Sequence, residues 1–182
     1  LLAINVIGAL VYLINMLLYR HTARGQIDVV VTIVSLLGGS AGMLLMILLF
    51  DRKAEKENMM SRVFIICVFV IQVIVLLIFK GHHAEHFTFA FWKFFAEHRI
   101  LLIYLGIMNL VTFIAFAIDK ANAKAHRSRI RIVTLLGLSF AGGSVGGLIS
   151  MYLFRHKTQK DYFTVGMPLI IVMQVVVLFY AM

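Results

Sequence analysis

The chain has 182 residues, of which 62% are apolar and 14% are charged, and its formal net charge is +9. Soluble domains are about 45–50% apolar and about one quarter charged. The composition therefore excludes a disordered chain, a nucleic-acid-binding domain and an ordinary cytosolic enzyme, and it predicts an integral membrane protein. We expect the positive charge to lie in the loops, where it would face anionic lipid headgroups rather than nucleic acid.

Six apolar runs are long enough to cross the hydrocarbon core, which takes roughly 17–25 residues of α-helix. The runs are Leu1–Tyr19, Ile27–Phe50, Val63–Phe79, Leu101–Ile118, Ile132–Phe154 and Thr164–Met182. They are apolar on every face, whereas barrel strands alternate polar and apolar residues, so the sequence predicts an all-α, polytopic membrane protein with six transmembrane helices. Because Leu1 already lies inside the first run, we expect a processed start or a fragment of a longer chain.

The connection between the third and fourth runs, residues 80–100, is rich in aromatic side chains. Phe87, Phe91, Phe94 and Phe95 share one face of a predicted helix, and charged residues fall on the opposite face. This pattern is typical of an amphipathic helix that lies in the membrane interface, with Trp92 at the depth of the acyl chains. A seventh span is the alternative, which the charges disfavour.

Polar landmarks recur in the same order in the two halves of the chain. The matches pair Gly38-Gly39-Ser40-x-Gly42 with Gly142-Gly143-Ser144-x-Gly146, Gln72 with Gln174, and Leu10-Val11 with Leu110-Val111. We therefore predict a repeat of three spans, residues 1–79 and 101–182, joined by residues 80–100. Asn15, Asn109 and Thr112 have no evident counterpart.

Because three spans is an odd number, the second copy would enter the membrane inverted relative to the first. The Lys and Arg residues then divide 9 to 8 between the two faces, which leaves the orientation of the chain undecided.

The second half also carries a set of residues that points to a known family. The set is Ile118-Asp119-Lys120, Ala123, Arg129-Ile130, Gly142-Gly143-Ser144-x-Gly146 and Phe154-Arg155-His156-Lys157-Thr158, with Lys160 and Phe163. With it the chain resembles a bacterial membrane family catalogued as a domain of unknown function, family 1294. Members usually have Pro-Glu where this chain has Arg131-Ile132. Because members are typically one copy long, the resemblance implies two fused copies in a bacterial cytoplasmic membrane, and it implies no reaction, ligand or cofactor.

Glycine, serine and glutamine residues inside the spans are candidates for contacting a ligand or lining a transport pathway. They are Gly38, Gly39, Ser40, Gly42, Gly142, Gly143, Ser144, Gly146, Gln72 and Gln174. One interpretation is structural: small residues let the second and fifth spans pack closely, and the glutamines form hydrogen bonds between helices. The other is functional, since broken helices in transporters expose backbone groups to the transported species.

Charged residues at the span ends are candidates for binding an anion or a lipid headgroup. They are Arg52, Lys53, Lys56, Asp119, Lys120, Arg155, His156, Lys157 and Lys160. The alternative is that the cations complement helix dipoles and contact lipid phosphates without a specific site. We expect a local salt bridge between Asp119 and Lys120.

Signs of catalysis are weak in this sequence. His82 and His86, with Glu85 between them, have a spacing that suits zinc, but no further ligand is fixed and surface histidines are the simpler interpretation. Neither a Ser-His-Asp arrangement nor a pair of carboxylates can be assembled from the spans. We therefore predict no cofactor, and an enzyme is the least favoured of the functional classes.

We expect a small transporter or channel-like module, with an anion or a lipid headgroup passing at the interface of the two repeats. A small anion or a lipid headgroup is favoured because the spans lack the buried carboxylates that are usual in proton- or cation-coupled pumps. The alternative is a binding or assembly subunit of a larger membrane complex or a homo-oligomer, with the Phe-rich connection as its docking surface. An enzyme acting on lipid headgroups is the third hypothesis.

Overall fold

The computed structural model describes residues 2–21, 27–53, 56, 58–80 and 91–182, and these residues form helices and connections without a strand. The helices are α1 (Leu2–His21), α2 (Asp28–Val34), α3 (Ser40–Phe50), α4 (Met59–Phe79), α5 (Phe91–Glu97), α6 (Arg99–Lys124), α7 (Ile132–Leu138), α8 (Ser144–Leu153), α9 (Asp161–Thr164) and α10 (Gly166–Ala181). The chain divides into two compact units, Leu1–Lys80 and Gly81–Met182.

The predicted all-helical class is confirmed, and so are six segments long and apolar enough to cross a membrane. They are Leu2–His21, Asp28–Phe50, Met59–Phe79, Arg99–Lys124, Ile132–Leu153 and Asp161–Ala181. Many of their outward side chains are exposed and apolar, for example Leu10 (54% exposed), Ile103 (60%) and Leu153 (65%). Such surfaces suit lipid as a solvent better than water.

In the first unit, the segment that contains α2 and α3 reverses its direction along α1. Three of the hydrogen bonds to α1 trace the path of this segment. In chain order they are the Ile27 N–H to Asn15 Oδ1 (3.0 Å), the Gly42 N–H to Asn5 Oδ1 (2.9 Å), and the Tyr12 hydroxyl to Asp51 Oδ2 (2.7 Å). The contacts thus move from residue 15 of α1 to residue 5 and then back to residue 12. It follows that α2 runs antiparallel to α1, whereas α3 runs parallel to it.

The second unit contains the same reversal. The Gly146 N–H donates to Asn109 Oδ1 at 2.7 Å, and four residues further on the Ser150 hydroxyl donates to the Phe113 carbonyl at 3.0 Å. Because both residue numbers increase together, α8 runs parallel to α6.

The opposite order holds for α7, the helix that precedes the reversal. The Ile130 N–H donates to Asp119 Oδ1 at 2.8 Å, and the Ala141 carbonyl accepts from the Tyr104 hydroxyl at 2.7 Å. One residue number rises while the other falls, so α7 runs antiparallel to α6. Segments α2–α3 and α7–α8 are therefore helical hairpins, called here hairpin 1 and hairpin 2.

A single glycine makes each reversal. Gly38 has φ 110° and Gly142 has φ 113°, inside the π-helical turns Ser35–Gly39 and Ser139–Gly143. Residues with a side chain rarely adopt this left-handed region, whereas glycine does so without steric cost. The two arms of hairpin 1 have 7 and 11 residues. At 1.5 Å per residue they are about 10 and 17 Å long, so neither arm alone spans the hydrocarbon core.

Each hairpin has a closed end at its glycine turn, which we call the tip, and an open end where the first arm begins and the second arm finishes. The last helix of each unit runs from the open end toward the tip. In the first unit, Arg62 near the start of α4 lies 3.3 Å from the Asp51 carboxylate, and Gln72 further along α4 reaches the tip. In the second unit, Phe163 in α9 packs on Phe116 near the open end, and Gln174 in α10 reaches the tip. Each unit thus begins and ends on the tip side of its hairpin.

The aromatic connection is described in part. Residues 81–90 lie outside the described residues, so Phe87 does as well, and α5 is a seven-residue helix in which Trp92 is 92% exposed. The interfacial amphipathic helix stays a prediction.

Candidate functional site

At the tip of hairpin 1, the predicted polar residues bind one another. The Gln72 amide nitrogen donates to the carbonyls of Ser35 at 2.8 Å and Leu36 at 3.0 Å, and the Ser40 hydroxyl donates to the Gln72 amide oxygen. A reversal of direction frees backbone carbonyls at the end of the first arm, and buried carbonyls need hydrogen-bond partners. Gln72 supplies those partners.

The tip of hairpin 2 has the same set of contacts. Gln174 donates to the carbonyls of Ser139 at 2.7 Å and Phe140 at 3.2 Å, and its amide oxygen accepts from the Ser144 hydroxyl. Ser139 and Ser144 are fully buried. The structure therefore brings the predicted Gly, Ser and Gln residues together within each unit, as the closed end of a hairpin.

Two asparagines complete the tips, and the sequence analysis did not assign them a role. Asn5 accepts the Gly42 N–H, and Asn109 accepts the Gly146 N–H while its amide donates to the Gly142 carbonyl at 2.9 Å. Asn5 in the first unit thus makes the contact that Asn109 makes in the second, and each asparagine precedes its glycine by 37 positions. Asn109 had no evident counterpart in the sequence because the match of Leu10-Val11 to Leu110-Val111 set α1 in a different register.

The spacing of small residues that the two units share allows close packing against the first helix of the same unit. A Cβ on Gly42 would overlap the Asn5 backbone, and a Cβ on Gly146 would overlap the Asn109 backbone. A Cβ on Gly143 would collide with the Thr112 side chain. Backbone-to-backbone contact of this kind is how small residues hold helices together in lipid.

At the open end of hairpin 2, a buried carboxylate gathers two of the predicted basic residues. Asp119 is fully buried, and its Oδ2 lies 2.8 Å from His156 Nε2 and 2.7 Å from Lys157 Nζ. Lys157 also lies over the Phe163 ring, 5.0 Å from its centroid. Burial lowers the pKa of Lys157, although the hydrogen bond and the charge of Asp119 oppose that shift.

The expected salt bridge between Asp119 and Lys120 does not form, because residue 120 follows on another face of α6 and the carboxylate points to the connection after α8. That connection is sharply folded: Arg155 and Lys157 have φ 44° and 64°, which are left-handed values. Arg155 and Lys160 are exposed. Among the described residues, the site therefore consists of Asp119, His156 and Lys157.

The open end of hairpin 1 holds a second buried carboxylate, Asp51, which was not among the predicted site residues. With Asp119 inside α6 it corrects the expectation that buried carboxylates are absent from the spans and their ends. Asp51 is 2% exposed; it accepts from the Tyr12 hydroxyl at 2.7 Å and from the Asn58 amide at 3.0 and 3.1 Å. Arg62 lies 3.3 Å from the carboxylate and also binds the Asp51 carbonyl. The signal in the sequence was an acid directly after the apolar run Ile27–Phe50, together with a tyrosine inside the preceding apolar run.

The predicted cations Arg52, Lys53 and Lys56 are exposed around this carboxylate. The Lys53 carbonyl accepts from Asn58 at 2.9 Å and from Arg62 at 2.8 Å, which fixes the loop after α3. A cavity of about 410 Å³ opens beside Asp51.

The weak metal candidates His82, Glu85 and His86 lie outside the described residues. Within the part of the chain that the structure describes, no group of three or more His, Cys, Asp or Glu residues is arranged to hold a metal ion.

Comparison with known proteins places these features in a family. Residues 109–163, which include the tip of hairpin 2 and the Asp119 cluster, match the family described as Protein of unknown function (DUF1294). The uncharacterized protein YsdA of Bacillus subtilis (strain 168) is 34% identical over 79 residues, which cover 43% of this chain and 89% of that protein. The chain belongs to this family of unknown function. No solved structure matches it.

Proposed function

We propose that the chain is an integral membrane protein built from two copies of one unit. The support is that five pairs of matched residues in the first helices and the hairpins lie 104 positions apart, while Gln72 and Gln174 lie 102 apart. The pairs are Asn5 and Asn109, Ser35 and Ser139, Gly38 and Gly142, Ser40 and Ser144, and Gly42 and Gly146. The family relative is itself about half as long as this chain, as expected for a protein with one unit.

The path of the chain inside each unit determines how many times a unit crosses the bilayer. In this proposal the first and last helices cross, and the hairpin enters and leaves on one side, so each unit crosses twice. After an even number of crossings the chain returns to its starting side. The inverted arrangement was predicted from three crossings per unit; with two crossings per unit, as proposed here, the second unit would enter the membrane in the same orientation as the first.

The distribution of positive charge supports two crossings per unit. In that topology, 14 of the 17 Lys and Arg residues fall at the open ends of the hairpins, and only Lys80, Lys93 and Arg99 fall on the other side. Cytoplasmic loops carry an excess of Lys and Arg. The open ends would therefore face the cytoplasm of a bacterial cell.

Within this architecture, the function that the geometry supports best is passage of a small anion or a lipid headgroup. The observation that carries it is the re-entrant hairpin in each unit, because backbone that breaks at membrane depth occurs where it is packed in protein or lines a pathway. Here the glutamines close the tips by hydrogen bonds. Passage would require Gln72 or Gln174 to break its hydrogen bonds to the carbonyls of the tip.

Flux into liposomes tests this proposal. We expect the purified chain to move radiolabelled phosphate or chloride, or a fluorescent phosphatidylglycerol, faster than protein-free liposomes. The substitution Gln174→Met keeps the side-chain volume but removes the tip hydrogen bonds, so it should raise the rate several-fold. Gln159→Met, an exposed residue in the connection after α8, is the matched control. Absence of flux for every probe would refute transport.

The alternative of a subunit that binds or assembles a larger membrane complex is favoured by one observation. Trp92 in α5 is 92% exposed, and the rings of Phe94 and His98 stack on each other in the same segment. Large aromatic side chains are enriched in protein interfaces. Under this alternative the hairpins serve stability alone, and the liposome experiment would give no flux.

A further inference from the structure

A cavity in the second unit lies where α5 meets α6. Its volume is about 820 Å³, and the described residues that line it all fall between positions 96 and 104. The lining residues before Ile100 include three polar ones, and Ile100, Leu101 and Tyr104 follow them along α6. The cavity is therefore polar at one end and apolar at the other.

The polar end carries two opposite charges. Glu97 is the last residue of α5 and Arg99 is the first of α6, and both are exposed. The ion pairs that the described residues form are all made by the carboxylates of Asp51 and Asp119. Neither Glu97 nor Arg99 is therefore paired within the described part of the chain, although Lys93 lies one helical turn before Glu97. Both charges are available to a ligand.

His98, between these two charges, adds a hydrogen-bond acceptor. Its Nδ1 lies 3.0 Å from the Phe94 carbonyl, and its ring stacks on the Phe94 ring with the centroids 4.5 Å apart. A carbonyl oxygen only accepts, so Nδ1 carries the hydrogen and the neutral ring presents Nε2 as an acceptor. The two contacts with Phe94 hold the ring, and with it that acceptor, in place.

An apolar face of α6 continues from the cavity. Ile100, Ile103 and Ile107 are 85%, 60% and 55% exposed, and their spacing places them along one side of the helix. In the proposed membrane placement this side would face acyl chains. A ligand that fills the cavity and continues along α6 therefore needs both a charged head and an apolar tail.

We propose that this cavity binds a phospholipid whose headgroup joins a phosphate to a primary ammonium, as in phosphatidylethanolamine. The Arg99 guanidinium donates to the phosphate oxygens, which it can bind with two hydrogen bonds. The ammonium donates to the Glu97 carboxylate and to His98 Nε2. Charge complementarity selects this headgroup, because phosphatidylglycerol has no cation for Glu97 and the quaternary ammonium of phosphatidylcholine has no N–H to donate.

The cavity also touches the closed end of hairpin 2. Tyr104 lines the cavity, and its hydroxyl donates to the Ala141 carbonyl in the tip at 2.7 Å. A phospholipid bound here would therefore lie against the tip. The site rests on the proposed function in that respect, and it specifies a zwitterionic lipid headgroup, rather than a free anion, as the species that would reach hairpin 2.

Retention of lipids by the full chain tests the site. The chain is reconstituted into nanodiscs of equal parts phosphatidylethanolamine, phosphatidylcholine and phosphatidylglycerol, and the lipids that stay bound on release are counted by native mass spectrometry. We expect phosphatidylethanolamine to be retained about tenfold more than either of the others, since it alone satisfies both charges. Retention of the three lipids in proportion to their abundance would refute the site.

Two substitutions separate the two charges. Arg99→Gln should lower the retention of phosphatidylethanolamine about tenfold and should lower that of the other two lipids as well, because all three have a phosphate. Glu97→Gln should lower the retention of phosphatidylethanolamine alone, to the level of phosphatidylcholine. Both side chains are exposed, so neither variant leaves a buried group without its partner.

Each substitution has a matched control. The controls are Lys93→Gln, an exposed cation in α5 outside the cavity wall, and Asp161→Asn, an exposed acid at the start of α9. Both should retain lipids as the unmodified chain does. If Lys93→Gln lowers retention as much as Arg99→Gln, the effect is one of general surface charge and the site is refuted.

A second copy of the chain is the alternative occupant of this exposed surface. It would appear in the same spectra as a dimer that Arg99→Gln dissociates, and that result would refute the lipid site. The outcome is separable from the liposome experiment: flux without selective retention refutes the lipid site alone, and selective retention without flux refutes the transport function alone.

Discussion

Asp119 shows how a single buried charge can determine the local structure of its unit. One carboxylate oxygen accepts the Ile130 N–H before α7, and the other binds His156 and Lys157 after α8. The same side chain therefore fixes both ends of hairpin 2. In the first unit Asn15 occupies the corresponding position and accepts the Ile27 N–H. The two units share the backbone contact, and the ion pair belongs to the second.

This difference leads to a prediction for Asp119→Asn. The amide can still accept the Ile130 N–H, but Lys157, whose side chain is 15% exposed, loses its counter-charge. Leaving one partner of a buried ion pair uncompensated costs about 3–5 kcal/mol, so the free energy of unfolding in detergent should fall by about that amount. The double variant Asp119→Asn, Lys157→Met should recover most of the loss. A single variant as stable as the unmodified chain would contradict this account of the cluster.

At this scale the sequence predicted the residue types at the open ends but not their partners. Asp119, His156 and Lys157 were candidates, yet the expected partner of Asp119 was its neighbour Lys120. Sequence adjacency favours such a guess, whereas on a helix the next residue points about 100° away. Asp51 was missed because its partners Tyr12 and Arg62 come from two other helices.

The close packing of the hairpins against the first helix of each unit depends on glycine. In α8, Gly146 faces the Asn109 backbone so closely that a Cβ would overlap it, while Gly137 in α7 has nothing within 4 Å of a Cβ. Both positions are helical, so an alanine is acceptable to the backbone at either one. Only contact with the neighbouring helix distinguishes them.

We therefore predict opposite outcomes for Gly146→Ala and Gly137→Ala. Forcing a methyl group into the contact between α6 and α8 should lower the free energy of unfolding by about 1–3 kcal/mol. Gly137→Ala should leave stability unchanged or raise it slightly, since alanine favours a helix more than glycine does. Thermal unfolding in detergent measures both variants. Equal stability of the two would refute the close approach of α8 to α6.

The sequence identified the apolar segments well and their paths poorly. A run of 23 residues such as Asp28–Phe50 satisfies the length of a crossing helix and, equally, the length of two short arms. Hydropathy does not distinguish these cases, because both arms are apolar. The available signal was local: Gly-Gly at the centre of each run, serines on both sides of it, and an asparagine and a glutamine at matched positions in the flanking helices.

For the whole molecule, the topology is the prediction with the widest consequence. Two crossings per unit place residues 53 and 157 on the same side of the membrane, whereas three crossings place them on opposite sides. Single cysteines at these positions, in a Cys67→Ser background, can be labelled in intact cells with a membrane-impermeant maleimide. We expect neither to react until the membrane is permeabilised, because 14 of 17 Lys and Arg residues mark that side as cytoplasmic. Labelling of just one of the two in intact cells would restore the inverted arrangement.

In the proposed membrane topology, the tips also constrain the order in which the chain is inserted. The backbone groups freed at Gly38 are satisfied by Asn5, which is synthesised earlier, and by Gln72, which emerges from the ribosome more than thirty residues later. Until α4 arrives, the turn of hairpin 1 has no partner for its carbonyls in a medium without water. In this topology, hairpin 1 therefore cannot complete the hydrogen bonds of its tip until α4 has been synthesised. The same delay recurs in the second unit, where Gln174 follows Gly142 by 32 residues.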